Sequence, residues 1–103
     1  MHPEATMKNI VISPPGLVDR SPCGTGTCAR MASLYGRGEL SIGDEFVHES
    51  VIGTVFRGRL LRETAVGSYK AVVPEVSGSA HITGIHQFMV DPDDALAYGF
   101  TLG

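Results

Sequence analysis

Only one stretch of this chain carries helical periodicity, and that constrains the fold more than any other feature. Cys28, Met31, Ala32 and Tyr35 stand at i, i+3, i+4 and i+7, on one face of a helix, and Gly36 and Gly38 bracket Arg37 where it should stop. The remainder is short, β-branched and punctuated by turn residues. Asn9-Ile10-Val11-Ile12 reads as a strand closed by Ser13-Pro14-Pro15-Gly16, whose prolines lack the N–H that a ladder needs. Beyond Gly43, strands are expected over 45–51, 54–63, 69–73 and 79–90, each bounded by Gly, Pro or Asp, with Gly84 marking a bulge or sharp bend in the last. The expected class is α+β: an antiparallel, barrel-like sheet wrapped around or against one helix.

Size and composition narrow the function. A chain of 103 residues has room for one domain with one modest core, so residues 1–103 are read as a single domain. With 43% hydrophobic and 18% charged residues it is a folding sequence and not a disordered one. A net charge of −3 with scattered basic residues argues against nucleic acid as a partner. No apolar run approaches the ~20 residues of a membrane helix, and Met1-His2-Pro3-Glu4 does not open a signal peptide, so a soluble, cytoplasmic protein is expected. Cys23 and Cys28 are too few and too close for a disulfide framework, which leaves at least one as a working thiol.

The segment Asp19-Arg20-Ser21-Pro22-Cys23-Gly24-Thr25-Gly26-Thr27 concentrates that chemistry. Cys23 falls at the mouth of the expected helix, where unpaired N–H groups and the positive end of the macrodipole favour an anion. Gly24, Thr25 and Gly26 put little bulk over the mouth, so a ligand carboxylate could approach their N–H groups closely. Asp19, four residues earlier, could accept hydrogen bonds from an ammonium group on the same ligand. A thiolate, a carboxylate pocket and an ammonium acceptor make half of an amino-acid site. The bland alternative is a tight turn with a cysteine acting as a small hydrophobe. Cys28, on the apolar face with Met31 and Tyr35, reads as core packing. A zinc site is disfavoured, because Cys-x4-Cys is wider than most structural pairs and His2, His48, His81 and His86 do not complete a ligand spacing. His48-Glu49, His81 and His86 are expected on solvated strand faces or at loop edges.

Asp19 to Thr27 resembles, letter for letter, the second-cysteine motif of the proline racemase and hydroxyproline epimerase family. The resemblance continues through Ala29-Arg30-Met31-Ala32, Gly38-Glu39-Leu40, Phe46-Val47-His48-Glu49-Ser50, Val72-Val73-Pro74-Glu75, Ile82-Thr83-Gly84 and Gly99-Phe100. It implies a cofactor-independent 1,1-proton transfer at the α-carbon of a proline-type imino acid. It implies that Cys23 is one of two acid/base thiols, that Asp19 binds the ring nitrogen, and that the backbone of Gly24 and Thr25 holds the carboxylate. Cys28 stands where the family often has Ser and stays non-catalytic. The implied fold is that of diaminopimelate epimerase, two barrel-like halves each around a central helix, with the site between them.

Inversion needs two thiols on opposite faces of one carbon. Cys28 cannot oppose Cys23, since five residues on a helix turn their directions apart by roughly 140°. Family members carry the other thiol in an N-terminal half, in a Cys-Gly-His motif that this sequence lacks. The chain is therefore expected to correspond to the C-terminal third of such an enzyme, inactive by itself, with an N-terminal half as partner and a homodimer among its assemblies. Tyr35 to Gly99 is more similar to racemases than to the rival 4-hydroxyproline 2-epimerases. The related hydroxyproline dehydratases carry Thr in place of Cys23. A non-catalytic fragment or assembly module is the reading from another class.

Overall fold

The computed structural model describes residues 1–103. In chain order the elements are β1 (Met7–Lys8), β2 (Ile12–Ser13), β3 (Leu17–Val18), α1 (Gly24–Gly36), β4 (Phe46–Glu49), β5 (Val55–Val66) and β6 (Tyr69–Ser77). Pro14-Pro15-Gly16 turns β2 back onto β3, pairing Ile12 with Val18 and Ser13 with Leu17. The other strands form one sheet in the order β1-β4-β5-β6. β4, β5 and β6 are antiparallel neighbours, whereas β1 runs parallel to β4.

The longest hairpin, β5–β6, turns on Gly67-Ser68, and Gly67 takes the left-handed φ of 58° that glycine adopts at least cost. Its register slips between Leu60 and Arg62, so that Pro74 lies opposite Leu60. A bulge there accommodates a residue without an N–H. That is why β6 continues through Pro74 to Ser77, past the end at Val73 that the sequence suggests. Met31 and Leu34 of α1 meet Leu40, Phe46 and Leu60 in the core, with Met7, Tyr35, Val72 and Val76 packed around them. The helix comes close to β5 at Gly58, where a Cβ would stand 2.7 Å from the Met31 sulfur.

Several expectations are corrected. Of the strand expected over Asn9-Ile10-Val11-Ile12 only Ile12 lies in one, β2; residues 9–11 link it to β1, which precedes the expected span, and β3 falls where a loop was expected. The helix starts at Gly24 and buries Thr27, Met31 and Leu34, a face turned by about one residue from the expected one, while Ala32 is exposed and Cys28 half-buried. Residues 79–90 form no strand, and neither a bulge nor a ladder exists at Gly84. Their β pattern lacks a pairing strand within the chain, so Ile82, Ile85 and Phe88 are 92%, 98% and 89% exposed. The sheet is open, with β1 and β6 as its edges, and it is not antiparallel throughout. A radius of gyration of 18.8 Å, against ~13 Å for a compact chain of this length, reflects the uncovered C-terminal segment. No helix is long and apolar enough to cross a membrane.

Candidate active site

Asp19 is fixed to the hairpin by its N–H, which donates to the Val11 carbonyl at 2.9 Å. Its Oδ1 accepts the Ser21 N–H at 2.8 Å and the Ser21 hydroxyl at 2.9 Å, an Asx turn closed twice over. The Ser21 Oγ in turn accepts the Cys23 N–H at 3.0 Å. Ser21 therefore couples the carboxylate to the backbone of the cysteine.

Cys23 is the N-cap of α1, with φ 69° and ψ 126°, and it is the only residue other than glycine with a positive φ. Holding an L-residue there costs on the order of 1 kcal/mol or more, and such strain persists only where neighbours enforce it. The cap reaches its own helix: Gly26 N–H donates to the Cys23 sulfur at 3.3 Å, and Thr27 N–H to the Cys23 carbonyl at 2.9 Å. A sulfur carrying negative charge accepts such a bond more strongly than a neutral thiol.

Gly24 and Thr25 occupy the first two helical positions, not a loop ahead of the helix. Their N–H groups bond to no group of the chain. A Cβ on Gly24 would meet nothing within 4 Å. A Cβ on Gly26 would lie 3.5 Å from the Cys23 sulfur and 3.4 Å from both the Cys23 Cβ and a Val11 methyl. One glycine leaves approach free, and the other makes room for the sulfur.

The histidine and glutamate of β4 are buried, not solvated. His48 is 1% exposed and Glu49 3%. β4 lies between β1 and β5, and α1 covers the face that carries Phe46 and His48. His48 Nδ1 lies 2.8 Å from the Thr27 hydroxyl, and burial with the Arg30 charge nearby lowers its affinity for a proton. The His2 backbone holds the Glu49 carboxyl below its usual range, aided by Lys8 at 3.6 Å.

Asp19, Arg20, Ser21, Thr54, His2 and His81 border an open cleft of about 610 Å³, the largest beside the motif. Cys23, Gly24 and Thr25 do not line that cleft; Thr25 shares an apolar groove with Cys28, Ala32, Tyr35, Val72 and Pro74. Cys28 is not in the core. His, Cys, Asp and Glu side chains do not gather into a group of three that could hold a metal ion.

A tethered carboxylate thus precedes a strained cysteine cap with two free amides in one short run of chain, and comparison shows the family to which that run belongs. The sequence profile described as proline racemase matches residues 1–101. The chain belongs to the proline racemase family. It is 56% identical over 101 residues to the proline racemase of Acetoanaerobium sticklandii, covering 98% of this chain and 30% of that protein. It is 54% identical over 100 residues to the trans-3-hydroxy-L-proline dehydratase of Bacillus cereus, covering 97% of this chain and 30% of that one. Among solved structures it is similar to a hydroxyproline epimerase from Agrobacterium vitis with bound trans-4-hydroxy-L-proline: TM-score 0.74 and 42% identity, over 92% of this chain and 27% of that one. The chain thus spans about 30% of the length of the curated relatives it matches.

Ser21, Asn9 and Thr27 have no separate role in the sequence pattern, and His48 is expected there on a solvated strand face or at a loop edge. Serine two residues after Asp19 is a turn signal that was available. The Thr27–His48 pair joins positions 21 residues apart, which no local pattern reveals.

Proposed function

We propose that this chain supplies one thiol and half of the substrate site of a cofactor-independent racemase of proline-type imino acids, with proline as the favoured substrate. The carrying observation is Cys23 at the N-cap, its sulfur accepting the Gly26 N–H beside the unpartnered amides of Gly24 and Thr25. A substrate carboxylate accepts those two N–H groups, and Asp19 accepts from the ring nitrogen. The Cys23 thiolate takes the α-proton: the Cα–H bond breaks, an S–H bond forms, and the electron pair stays on a carbanion-like carbon beside the carboxylate. A second thiol on the opposite face then gives up its proton to that carbon, inverting it. Helix-end dipoles stabilise the charge that develops.

Support for two contributing segments comes from Cys28, which stands five residues along α1 from the Cys23 cap, its side-chain direction turned away by roughly 140°. The second thiol belongs to a partner segment outside residues 1–103, and the chain alone is inactive. In this reading the open sheet and α1 are one half of a diaminopimelate-epimerase-like fold. Cys23 favours a racemase or epimerase over a dehydratase, since the dehydratases have Thr in its place. A 4-hydroxyproline 2-epimerase is the second reading, favoured by the ligand of the Agrobacterium vitis structure.

Alkylation with peptide mapping tests the assignment. Cys23 should label ahead of Cys28, and in an active assembly a planar five-membered-ring carboxylate such as pyrrole-2-carboxylate, which mimics the flattened carbanion, should protect it. Preferential labelling of Cys28 would overturn it.

A further inference from the structure

Three polar side chains behind the cysteine have no part in the chemistry above: Asn9 and Thr27 reach one carbonyl oxygen, and His48 stands behind Thr27. The Asn9 side-chain N–H donates to the Pro22 carbonyl at 3.1 Å, and the Thr27 hydroxyl reaches the same oxygen at 3.5 Å. Thr27 is fully buried, and its hydroxyl lies 2.8 Å from His48 Nδ1. If the hydroxyl proton points at Pro22, the imidazole donates from Nδ1 to the Thr27 oxygen, and the chain of bonds runs from β4 through α1 to the Pro22–Cys23 peptide. Asn9 reaches that peptide from the segment after β1. Pro22 itself is fully buried.

That peptide precedes the one non-glycine residue with a positive φ, so its orientation decides where the Cys23 sulfur points. A left-handed cysteine with a free carbonyl before it would relax, swing its sulfur away from the Gly26 N–H and leave the helix mouth.

We propose that Thr27, His48 and Asn9 are positioning residues that clamp the Pro22 carbonyl and so hold the Cys23 sulfur at the N-terminus of α1. The proposal rests on Cys23 being the acid/base thiol, and it adds the residues that set its reactivity. None of the three touches the substrate.

The test is the rate of iodoacetamide alkylation of Cys23 in the full 103-residue chain, mapped by mass spectrometry, with Cys28 in the same molecule as internal reference. Thr27→Val keeps the shape and removes the hydroxyl. It should slow Cys23 by about threefold or more and leave Cys28 unchanged, because a sulfur away from the helix mouth loses its stabilised thiolate. Thr27→Ser should restore the rate, a rescue that a purely packing role for the threonine methyl would not give. His48→Phe should match Thr27→Val, while His48→Asn, which can still donate to Thr27, should stay near the parent rate. Wild-type Cys23 rates in folded Thr27→Val and His48→Phe chains would overturn the proposal. If those two variants fail to fold, as a rise in Cys28 labelling would report, half-buried Asn9→Ala decides: slower Cys23 labelling supports the clamp, and an unchanged rate refutes it. Labelling of Cys28 ahead of Cys23 in the parent chain would instead refute the reading of Cys23 on which the clamp is built.

Discussion

At the scale of single residues, the two glycines after Cys23 have opposite duties, and substitution separates them. Gly24→Ala adds a methyl that touches nothing within 4 Å in the chain, so the fold should tolerate it, but the methyl occupies the space a carboxylate needs to reach the free amides. The expected outcome is unchanged thermal unfolding together with weakened protection of Cys23 by pyrrole-2-carboxylate in the active assembly. His48 makes a prediction about pH. Its proton affinity is lowered from an ordinary value of 6.5 by burial and by Arg30, so the unfolded chain takes up the proton more readily than the folded one. The contribution to stability is therefore complete above about pH 6.5 and declines as pH falls below it. Glu4, Glu49 and Glu63 are held below 4.5, so their losses begin at lower pH and leave the range 5.5–7.5 to His48. Urea unfolding should give lower stability at pH 5.5 than at 7.5, and His48→Asn should flatten the difference. The chemical identity of Cys23, Asp19, Gly24 and Thr25 could be read from the sequence because those residues are contiguous. The burial of His48 could not, since it depends on α1 covering that face of β4.

The elements show why a pattern places a helix better than it bounds one. Glycine costs ~1 kcal/mol relative to alanine inside a helix, so Gly24-Thr25-Gly26 reads as loop, and only the Cys23 sulfur capping Gly26 explains a start there. The buried face was displaced for a similar reason: Thr27 is inside because its hydroxyl meets His48, a fact that hydropathy does not encode. Met31 lies at the centre of both faces. It is fully buried against Phe46 and Leu60, so Met31→Ala should destabilise the fold by about 2–5 kcal/mol, measured by urea unfolding. Gly58→Ala should also destabilise, because its methyl would overlap the Met31 sulfur, and a smaller residue at 31 should partly relieve it. β4, β5 and β6 were legible in the sequence, whereas β1 and β3, two residues each, were not, although each pairs with a neighbour. Pro74 misled only because the bulge opposite it is a property of the partner strand.

For the whole molecule, the decisive feature is the apolar segment after β6. Ile82, Ile85, Phe88, Met89, Tyr98 and Leu102 are each at least 89% exposed, well beyond what an isolated soluble chain tolerates as scattered surface residues. The chain by itself should therefore self-associate, visible as concentration-dependent sedimentation, and replacing Ile82, Ile85 and Phe88 by Ser should reduce it. Residues 79–90 carry a strand pattern but form no strand, because pairing is a property of two segments and no other segment of this chain lies beside them. The same logic governs catalysis, because two bases acting as a unit lose most of their joint effect when one is removed. Chiral chromatography of proline incubated with the purified chain tests this most directly, first alone and then mixed with the portion of the Acetoanaerobium sticklandii racemase outside the 30% that this chain matches. The account predicts no racemisation by the chain alone, racemisation on mixing, and its loss with Cys23→Ser but not with Cys28→Ser. Racemisation by the chain alone, or by a mixture containing Cys23→Ser, would contradict it.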